Sequence, residues 1–237
     1  MKKIIFACVL CCFLVLVLSC ASTKYSESTV TESKPAFVDA RAVVETDFSE
    51  EEIAVYDFVI KSLLEMNQFR SEVEFNDGSI KVTKIPTSKV LLEDTTTTFI
   101  GSKDQFDVYI VSEKTYFEEK LGTEYSEAFD SYAEKNAVKT KVDSLFNVIE
   151  GIGSLSSVKA QIDPSARFEK YWSALYEVEP ESCGTLALSN IGFNADGTKA
   201  VIQVEFHQGS MSGFIDYLLL TKTDSWQIEN SYRAVYF

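Results

Sequence analysis

The chain has 237 residues with 36 acidic and 22 basic side chains, so its formal net charge at neutral pH is −14. This balance argues against a nucleic-acid partner, because a phosphate backbone requires clustered lysine and arginine. Beyond its N-terminal segment, the length suits one domain or two small domains packed closely together.

The first nineteen residues have the three parts of an export signal. Lys2 and Lys3 give a cationic start, an apolar run follows from Ile4, and the small Ser19 precedes Cys20. A transmembrane helix needs roughly 20 apolar residues with charged flanks, and this run stops short of that. The pattern therefore predicts cleavage before Cys20.

The residues Val17, Leu18, Ser19 and Cys20 resemble the lipobox of bacterial lipoproteins. The resemblance implies that Cys20 receives a diacylglyceryl thioether and becomes the mature N-terminus. Several acyl chains would anchor the protein firmly, since each buried methylene contributes about 0.8 kcal/mol. Ala21 stands where familiar enteric lipoproteins have the aspartate of inner-membrane retention, so the resemblance favours the outer membrane, facing either the periplasm or the exterior. The alternative is an ordinary signal peptide with an incidental cysteine.

Cleavage would leave 20 basic and 36 acidic side chains, a formal charge of −16. Anionic headgroups repel such a domain, so we expect the lipid, and not surface charge, to hold the protein at the membrane. Cys183 would then be the lone thiol, without a partner for an internal disulfide. A lone cysteine is far more often a small hydrophobic residue than a nucleophile, and its one histidine partner would be His207.

Composition changes after Cys20. The stretch that follows is rich in Ser, Thr and Glu and has no helical or strand periodicity, which is typical of a flexible linker. We predict a signal peptide at residues 1–19, a lipidated cysteine with a flexible Ser/Thr-rich tether at 20–46, and a single α+β domain at 47–237. The tether would let the domain meet partners without being pressed against lipid.

The domain opens with the strongest helical pattern of the chain, "SEEEIAVYDFVIKSLLEM". Ser49 can cap this helix, and Glu52, three residues later, can complete a capping box. Apolar residues recur at spacings of three and four, which places them on one buried face. These residues are Ile53, Tyr56, Val59, Ile60, Leu63 and Leu64.

The middle of the chain gives weaker patterns. The segments "KVTKIP" and "KVLLEDTTTTF" are rich in β-branched residues and favour strands. A helical region is predicted from about Ser112 to Val142, with only Gly122 interrupting it. Phe129 and Tyr132 lie at core spacing within it.

Several short motifs lack the residues that would make them functional. "GIGSLS" at 151–156 lacks the third glycine of a dinucleotide loop, and "GSMSG" has Met211 at the position of a nucleophile. Ser156 and Lys159 have Ser-x-x-Lys spacing without a Lys-Thr-Gly segment. We predict turns at all three places, and we predict no metal site and no cofactor.

The C-terminal third contains four extended runs, "TLALSNIGF", "KAVIQVEFH", "FIDYLLLT" and "WQIENSYRAVYF", separated by turn segments. The Asp-Gly pair in "NADG" favours a hairpin, so the runs predict an antiparallel meander. Period-two alternation places Ile202, Val204 and Phe206 on a buried face and Val201, Gln203, Glu205 and His207 on the other. In the last run, Trp226, Ile228 and Tyr232 would share one face, opposite Gln227, Glu229, Ser231 and Arg233. The predicted fold is α+β, with amphipathic helices packed on one face of a C-terminal antiparallel β-meander.

The mature part also resembles a group of uncharacterised exported bacterial proteins. The resemblance lies in "AVYDFVI", "LLEDTTTTF", "FDSYAEKN", "YWSALYEVEP" and, most specifically, "LSNIGFNADGTKAVIQVEF" with "SGFIDYLLLTKTDSWQI". Related chains often have a cysteine pair around the turn between the two central strands, where this chain has Gln208 and Ser212. The resemblance implies export and a shared fold, and it transfers no catalytic residue.

The polar face of the meander offers one acid–base set, His207 with Glu205, Asp216 or Glu229. A catalytic histidine needs a carboxylate in contact, whereas the spacing only indicates a shared face. We therefore expect an envelope lipoprotein, held to the membrane by its N-terminal lipid, that binds an envelope protein, a glycan or a small ligand. The alternative is an envelope hydrolase that uses carboxylates with or without His207.

Overall fold

The computed structural model describes residues 43–76, 79–97, 114–116, 118–119, 123–166 and 169–236. These residues all belong to one compact unit. The signal, Cys20 and most of the predicted tether lie outside the described residues, so the predicted division of the chain stays a prediction.

The described residues form helices on both sides of a central sheet. The helices are α1 (Glu50–Met66), α2 (Ser126–Lys135), α3 (Leu155–Lys159) and α4 (Glu169–Val178). The strands are β1 (Val43–Val44), β2 (Phe69–Asn76), β3 (Ser79–Pro86), β4 (Lys89–Leu92), β5 (Lys139–Thr140), β6 (Ile152–Ser154), β7 (Ser182–Leu188), β8 (Gly192–Phe193), β9 (Lys199–Gly209), β10 (Ser212–Lys222) and β11 (Trp226–Tyr236). Short 3₁₀ helices span Thr123–Tyr125 and Asp143–Asn147.

Helix α1 begins with the predicted capping box. The Ser49 hydroxyl accepts from the Glu52 amide at 3.2 Å, and the Glu52 carboxylate accepts from the Ser49 amide at 2.9 Å. Its buried face consists of Val55, Tyr56, Val59, Ile60 and Leu63, with Ile53 and Leu64 half-buried against the same core. The helix prediction is confirmed.

The main sheet has the strand order β11-β10-β9-β7-β4-β6, with β8 beside β9. Strands β7, β9, β10 and β11 are antiparallel neighbours, which confirms the predicted meander and the α+β class. Strands β4 and β6 extend this sheet in parallel, which the sequence did not predict. The strand predicted at "KVLLEDTTTTF" ends at Leu92, and its final Thr98–Phe99 lies outside the described residues.

Helices cover both faces of the sheet, so the prediction of one covered face is wrong. Ile202, Val204 and Phe206 of β9 pack in the core that contains α1. On the opposite face Val201 packs with Tyr217, Leu219 and the apolar side of α2, and α3 and α4 cover Leu91 of β4. Gln203, expected on a wet face, is buried there and accepts a hydrogen bond from the Tyr132 hydroxyl at 2.9 Å.

Helix α2 ends earlier than predicted. Phe129 and Tyr132 are buried as expected, but the helix stops at Lys135 and does not continue to Val142. The Asn136 side chain ends it by donating to the Tyr132 carbonyl at 2.8 Å. The chain then forms β5, which pairs in parallel with β1.

Two further predictions are corrected. Strand β11 is irregular opposite Leu219 and Leu220, so Trp226 lies in the α1 core while Tyr232 packs against Tyr217 on the opposite face. A one-residue shift of this kind reverses the side-chain alternation. The segment "GIGSLS" is also not a turn, because it forms β6 and the start of α3, with Ser154 as the N-cap.

A buried hydrogen-bond network occupies the corner between β7 and β8. The Asn190 amide donates to Asn136 Oδ1 at 2.9 Å, and Asn136 Nδ2 donates back to the Asn190 carbonyl at 2.9 Å. Asn190 Nδ2 also donates to the carbonyls of Lys135 at 3.0 Å and Val138 at 3.2 Å. Both asparagines therefore fix the end of α2 against the sheet.

The neighbouring Ser189 connects the other elements. Its carbonyl accepts from the Tyr56 hydroxyl of α1 at 3.0 Å, and its hydroxyl accepts from the Gln203 amide of β9 at 2.8 Å. We call Asn136, Ser189, Asn190 and Gln203 the polar corner. All four residues are buried, and their hydrogen bonds join α1, α2, β9 and the connection between β7 and β8.

Gly192 in β8 allows α2 to lie directly on the sheet. A Cβ at this position would lie 2.1 Å from the Ala128 carbonyl oxygen and 2.2 Å from the Tyr132 amide nitrogen. Both are backbone atoms of α2, so no side-chain rotation could relieve the clash.

We predict that Gly192→Ala lowers the free energy of unfolding by about 1–3 kcal/mol, because α2 must move away from β8. The matched control is Gly209→Ala, where the nearest atom to a new Cβ is Ser212 Cβ at 3.9 Å. The control should stay within about 0.5 kcal/mol of the unmodified protein. Urea unfolding measures both variants, and equal losses would contradict the close approach of α2.

Candidate functional site

One pair of the predicted acid–base set is in contact. His207 Nε2 lies 2.9 Å from Glu205 Oε1, and the two side chains are 25% and 24% exposed. Both lie near the end of β9, where His207 is paired with Thr185 of β7 and Gly213 of β10. A Cβ on Gly213 would lie 2.6 Å from His207 Nδ1, so glycine makes room for the imidazole.

Asp216 belongs to a different ion pair. It lies opposite Val204 in the β9–β10 register, which places it on the face that packs against α1. Its carboxylate accepts from both Nε and Nη2 of Arg233, the latter at 2.7 Å. The Arg233 guanidinium also lies over the Phe214 ring, 4.4 Å from its centroid. This bidentate pair is separated from His207 by the sheet.

Glu229 forms a third group with Lys199 and Tyr125. Its carboxylate accepts from Lys199 Nζ at 2.6 Å and from the Tyr125 hydroxyl at 2.6 Å. The Lys199 hydrogen bond, followed by that of Tyr125, lowers the pKa of Glu229. Burial and the same carboxylate raise the pKa of Tyr125. The four predicted residues therefore lie in three separate groups, and the structure brings together only Glu205 and His207.

A carboxylate that holds an imidazole can orient it as a general base. With a bound water as the nucleophile, such a pair could act in hydrolysis. In the part of the chain that the structure describes, no group of three or more His, Cys, Asp and Glu side chains is arranged to hold a metal ion.

Cys183 lies inside the α1 core. Burial raises the pKa of its thiol to about 12. Because the thiolate is the reactive form, this cysteine is inert at neutral pH and packs as a small hydrophobic residue.

A second candidate site is the antiparallel ribbon of β2 and β3. The register runs from Phe69 opposite Pro86 to Asn76 opposite Ser79, and within the described strands β2 and β3 pair only with each other. The Arg70 guanidinium fixes the base of the ribbon, because it lies 3.5 Å from the centroid of the Tyr176 ring. Arg70 Nη2 also donates to the Pro180 carbonyl at 3.3 Å.

One face of this ribbon exposes large apolar side chains. Phe69 is 54% exposed, Ile80 65% and Val82 58%. These three residues lie on the same face by the ribbon register, and we call them the apolar ribbon face. Met66, at the end of α1 three residues before Phe69, is 70% exposed.

The strand predicted at "KVTKIP" is confirmed as part of β3, but its pairing with β2 as a ribbon was not predicted. The available signal was Asp77-Gly78 between "FRSEVEFN" and "SIKVTKIP", a favoured hairpin turn between two alternating runs. The exposure of the apolar residues could not be read from this pattern, because alternation equally predicts a buried face.

Comparison with known proteins gives no relative: no protein-family model, no curated protein and no solved structure matches the chain. The resemblance to exported bacterial proteins therefore stays a prediction. No helix among the described residues is long and apolar enough to cross a lipid bilayer.

Proposed function

We propose that this protein is a lipid-anchored lipoprotein of the cell envelope that acts as a binding module through its apolar ribbon face. The sequence Val17-Leu18-Ser19-Cys20 supports the anchor, which would place the protein at the outer membrane. The observation that carries the binding role is the exposure of Phe69, Ile80 and Val82 on one face of a ribbon whose two strands, among the described residues, pair only with each other.

The physical argument is that single exposed apolar residues are ordinary, whereas a grouped set marks an interaction surface. Burial of one large apolar side chain contributes roughly 1.5–3 kcal/mol. A two-stranded ribbon alone is also marginally stable in water. A partner that covers this face would therefore gain binding energy and would stabilise the ribbon.

The charge of the ribbon also favours binding of a partner at the apolar ribbon face. Residues 69–86 contain Arg70, Lys81 and Lys84 together with Glu72, Glu74 and Asp77, so this segment has no net charge although the whole chain has −14. An acidic partner would meet less repulsion at the ribbon than at the rest of the acidic surface. The 22 residues between Cys20 and Val43 would give the domain a reach of up to about 75 Å from the bilayer when fully extended.

The test is photocrosslinking in intact cells that process the signal. A benzoylphenylalanine at position 82 should give a discrete adduct, whereas one at position 148 should not. Val148 is a matched control because it is 56% exposed and lies far from the ribbon in sequence. Cys20→Ala should release the protein from the membrane fraction and abolish the adduct. Equal labelling at the two positions would contradict the binding surface, and unchanged membrane association of Cys20→Ala would contradict the anchor.

The second candidate is an envelope hydrolase, and the contact between Glu205 and His207 favours it. If the pair acts as a base, Glu205→Gln should reduce turnover of peptidoglycan fragments or p-nitrophenyl esters by about 10²-fold or more. Glu93→Gln is the control, since Glu93 also lies in a surface ion pair, 2.9 Å from Lys159. Equal turnover by both variants, or none by the unmodified protein, would exclude this candidate.

A further inference from the structure

We infer that the apolar ribbon face docks on the bilayer that holds the lipid anchor, with its three apolar side chains at the boundary of the acyl chains and Lys84 at the lipid phosphates. This inference rests on the proposed lipid anchor and on the proposed binding role of the ribbon. It names the partner as a phospholipid surface, which the proposed function leaves open.

The two faces of the ribbon differ in burial. On one face Arg70 is only 7% exposed and lies over the Tyr176 ring, while Thr83 and Ile85 are half-buried. On the other face, all three side chains of the apolar ribbon face are more than half exposed. The ribbon therefore has one face against the domain near its base and presents its apolar face to the surroundings.

Lys84 lies on the same face as the apolar side chains. The register pairs it with Ser71, and it follows Val82 by two residues, so both side chains lie on one face. Its Nζ is 5.9 Å from the centroid of the Phe69 ring. Among the described side chains of the ribbon, no carboxylate shares this face.

This combination of groups fits the surface of a phospholipid bilayer. Apolar side chains enter the boundary of the acyl chains, and a neighbouring lysine reaches the phosphates because its long methylene stem can lie along the apolar groups. The ribbon supplies both kinds of group on one face. Its single described cation there has a phosphate as its natural partner.

The backbone of the ribbon requires shallow docking. Within the described strands β2 and β3 pair only with each other, so both edges have unpaired N–H and C=O groups. Full insertion would place these groups in hydrocarbon without hydrogen-bond partners. A segment lying flat in the interface buries its apolar face by only about 5–10 Å, so the edges stay among hydrated headgroups.

The proposed anchor makes the bilayer the nearest partner. The 22 residues between Cys20 and Val43 would span about 25 Å as a relaxed flexible chain. Docking is then an intramolecular step, which needs only modest intrinsic affinity. Because residues 69–86 have no net charge, headgroup phosphates also repel the ribbon less than the acidic remainder of the chain.

A second copy of the chain fits this face less well. Two ribbons packed face to face would enclose Lys84 of both copies, and neither face has a described carboxylate to pair with them. A buried charge without a partner is unfavourable. A bilayer avoids this arrangement, since it provides phosphates directly above the apolar region.

The test measures how close position 82 comes to lipid. Val82→Trp is prepared in the lipidated full protein, with one copy in each phosphatidylcholine nanodisc, and the acyl chains are brominated either near the headgroup or near the chain end. Bromine quenches tryptophan on contact. The added emission should be quenched, and bromine near the headgroup should be the stronger quencher because docking is shallow.

Val148→Trp is the matched control. Val148 is 56% exposed, but it shares a surface groove with Glu50, Asp57 and Glu150, whose carboxylates are repelled by phosphates. Its added emission should not be quenched. The unmodified protein gives the baseline from the two native tryptophans.

Further variants in the Val82→Trp protein test the two kinds of contact, with the ratio of quenched to unquenched added emission as the docking constant. Ile80→Ser should lower this constant about tenfold. Lys84→Glu should lower it about fivefold, because a carboxylate is repelled by the phosphates. Lys61→Glu is the control for charge reversal, since Lys61 is an exposed lysine of α1 paired with Asp57, and it should leave the constant unchanged.

The outcomes separate this inference from the proposed function. Equal quenching at positions 82 and 148, or none at 82, would overturn bilayer docking. A protein adduct from position 82 in cells, without quenching in nanodiscs, would overturn bilayer docking but keep the binding module. Quenching that requires two copies in a nanodisc would show that a second copy is needed and would also overturn the inference. Absence of both quenching and any adduct would overturn both proposals.

Discussion

The structure depends on the buried hydrogen bonds of the polar corner. Asn136 and Asn190 exchange bonds between side chain and backbone, and Ser189 accepts from both α1 and β9. Each buried polar group would cost about 1–3 kcal/mol if its partner were lost. Apolar packing could tolerate small shifts of the helices, whereas these bonds have fixed directions and lengths. They therefore set where α1 and α2 lie on opposite faces of one sheet.

The positions of the two candidate surfaces follow from this arrangement. Tyr132 of α2 covers Gln203 in the middle of β9, whereas Glu205 and His207, nearer the end of the strand, keep partial access to solvent. The described side chains of the ribbon lie outside the three helix-covered cores, and Arg70 attaches the ribbon near its base. The body of the domain is thus specified by internal contacts, whereas the ribbon exposes apolar residues that those contacts do not require.

Local chemistry explains what the sequence could predict. The capping box at Ser49 and Glu52 spans three residues, and the turns of the meander are set by short segments such as "NADG". Long-range contacts explain the failures. Gln203 is buried by a tyrosine 71 residues away, and α2 stops where Asn136 meets Asn190, 54 residues later. The irregularity in β11 moves the Tyr232 side chain to the other face of the sheet, and no turn residue in the sequence indicates this shift. For the candidate acid–base site, the sequence predicted only that Glu205 and His207 share a face, and not that they are in contact.

The most direct test of this account is a double-mutant cycle on Asn136 and Asn190, measured by urea unfolding. Asn136→Ala and Asn190→Ala should each lower the free energy of unfolding by about 2 kcal/mol or more, since each removes buried hydrogen bonds. The double variant should lose at least about 1 kcal/mol less than the sum, because either change releases the same contact between α2 and the sheet. Losses that add within about 0.5 kcal/mol would contradict a coupled polar corner.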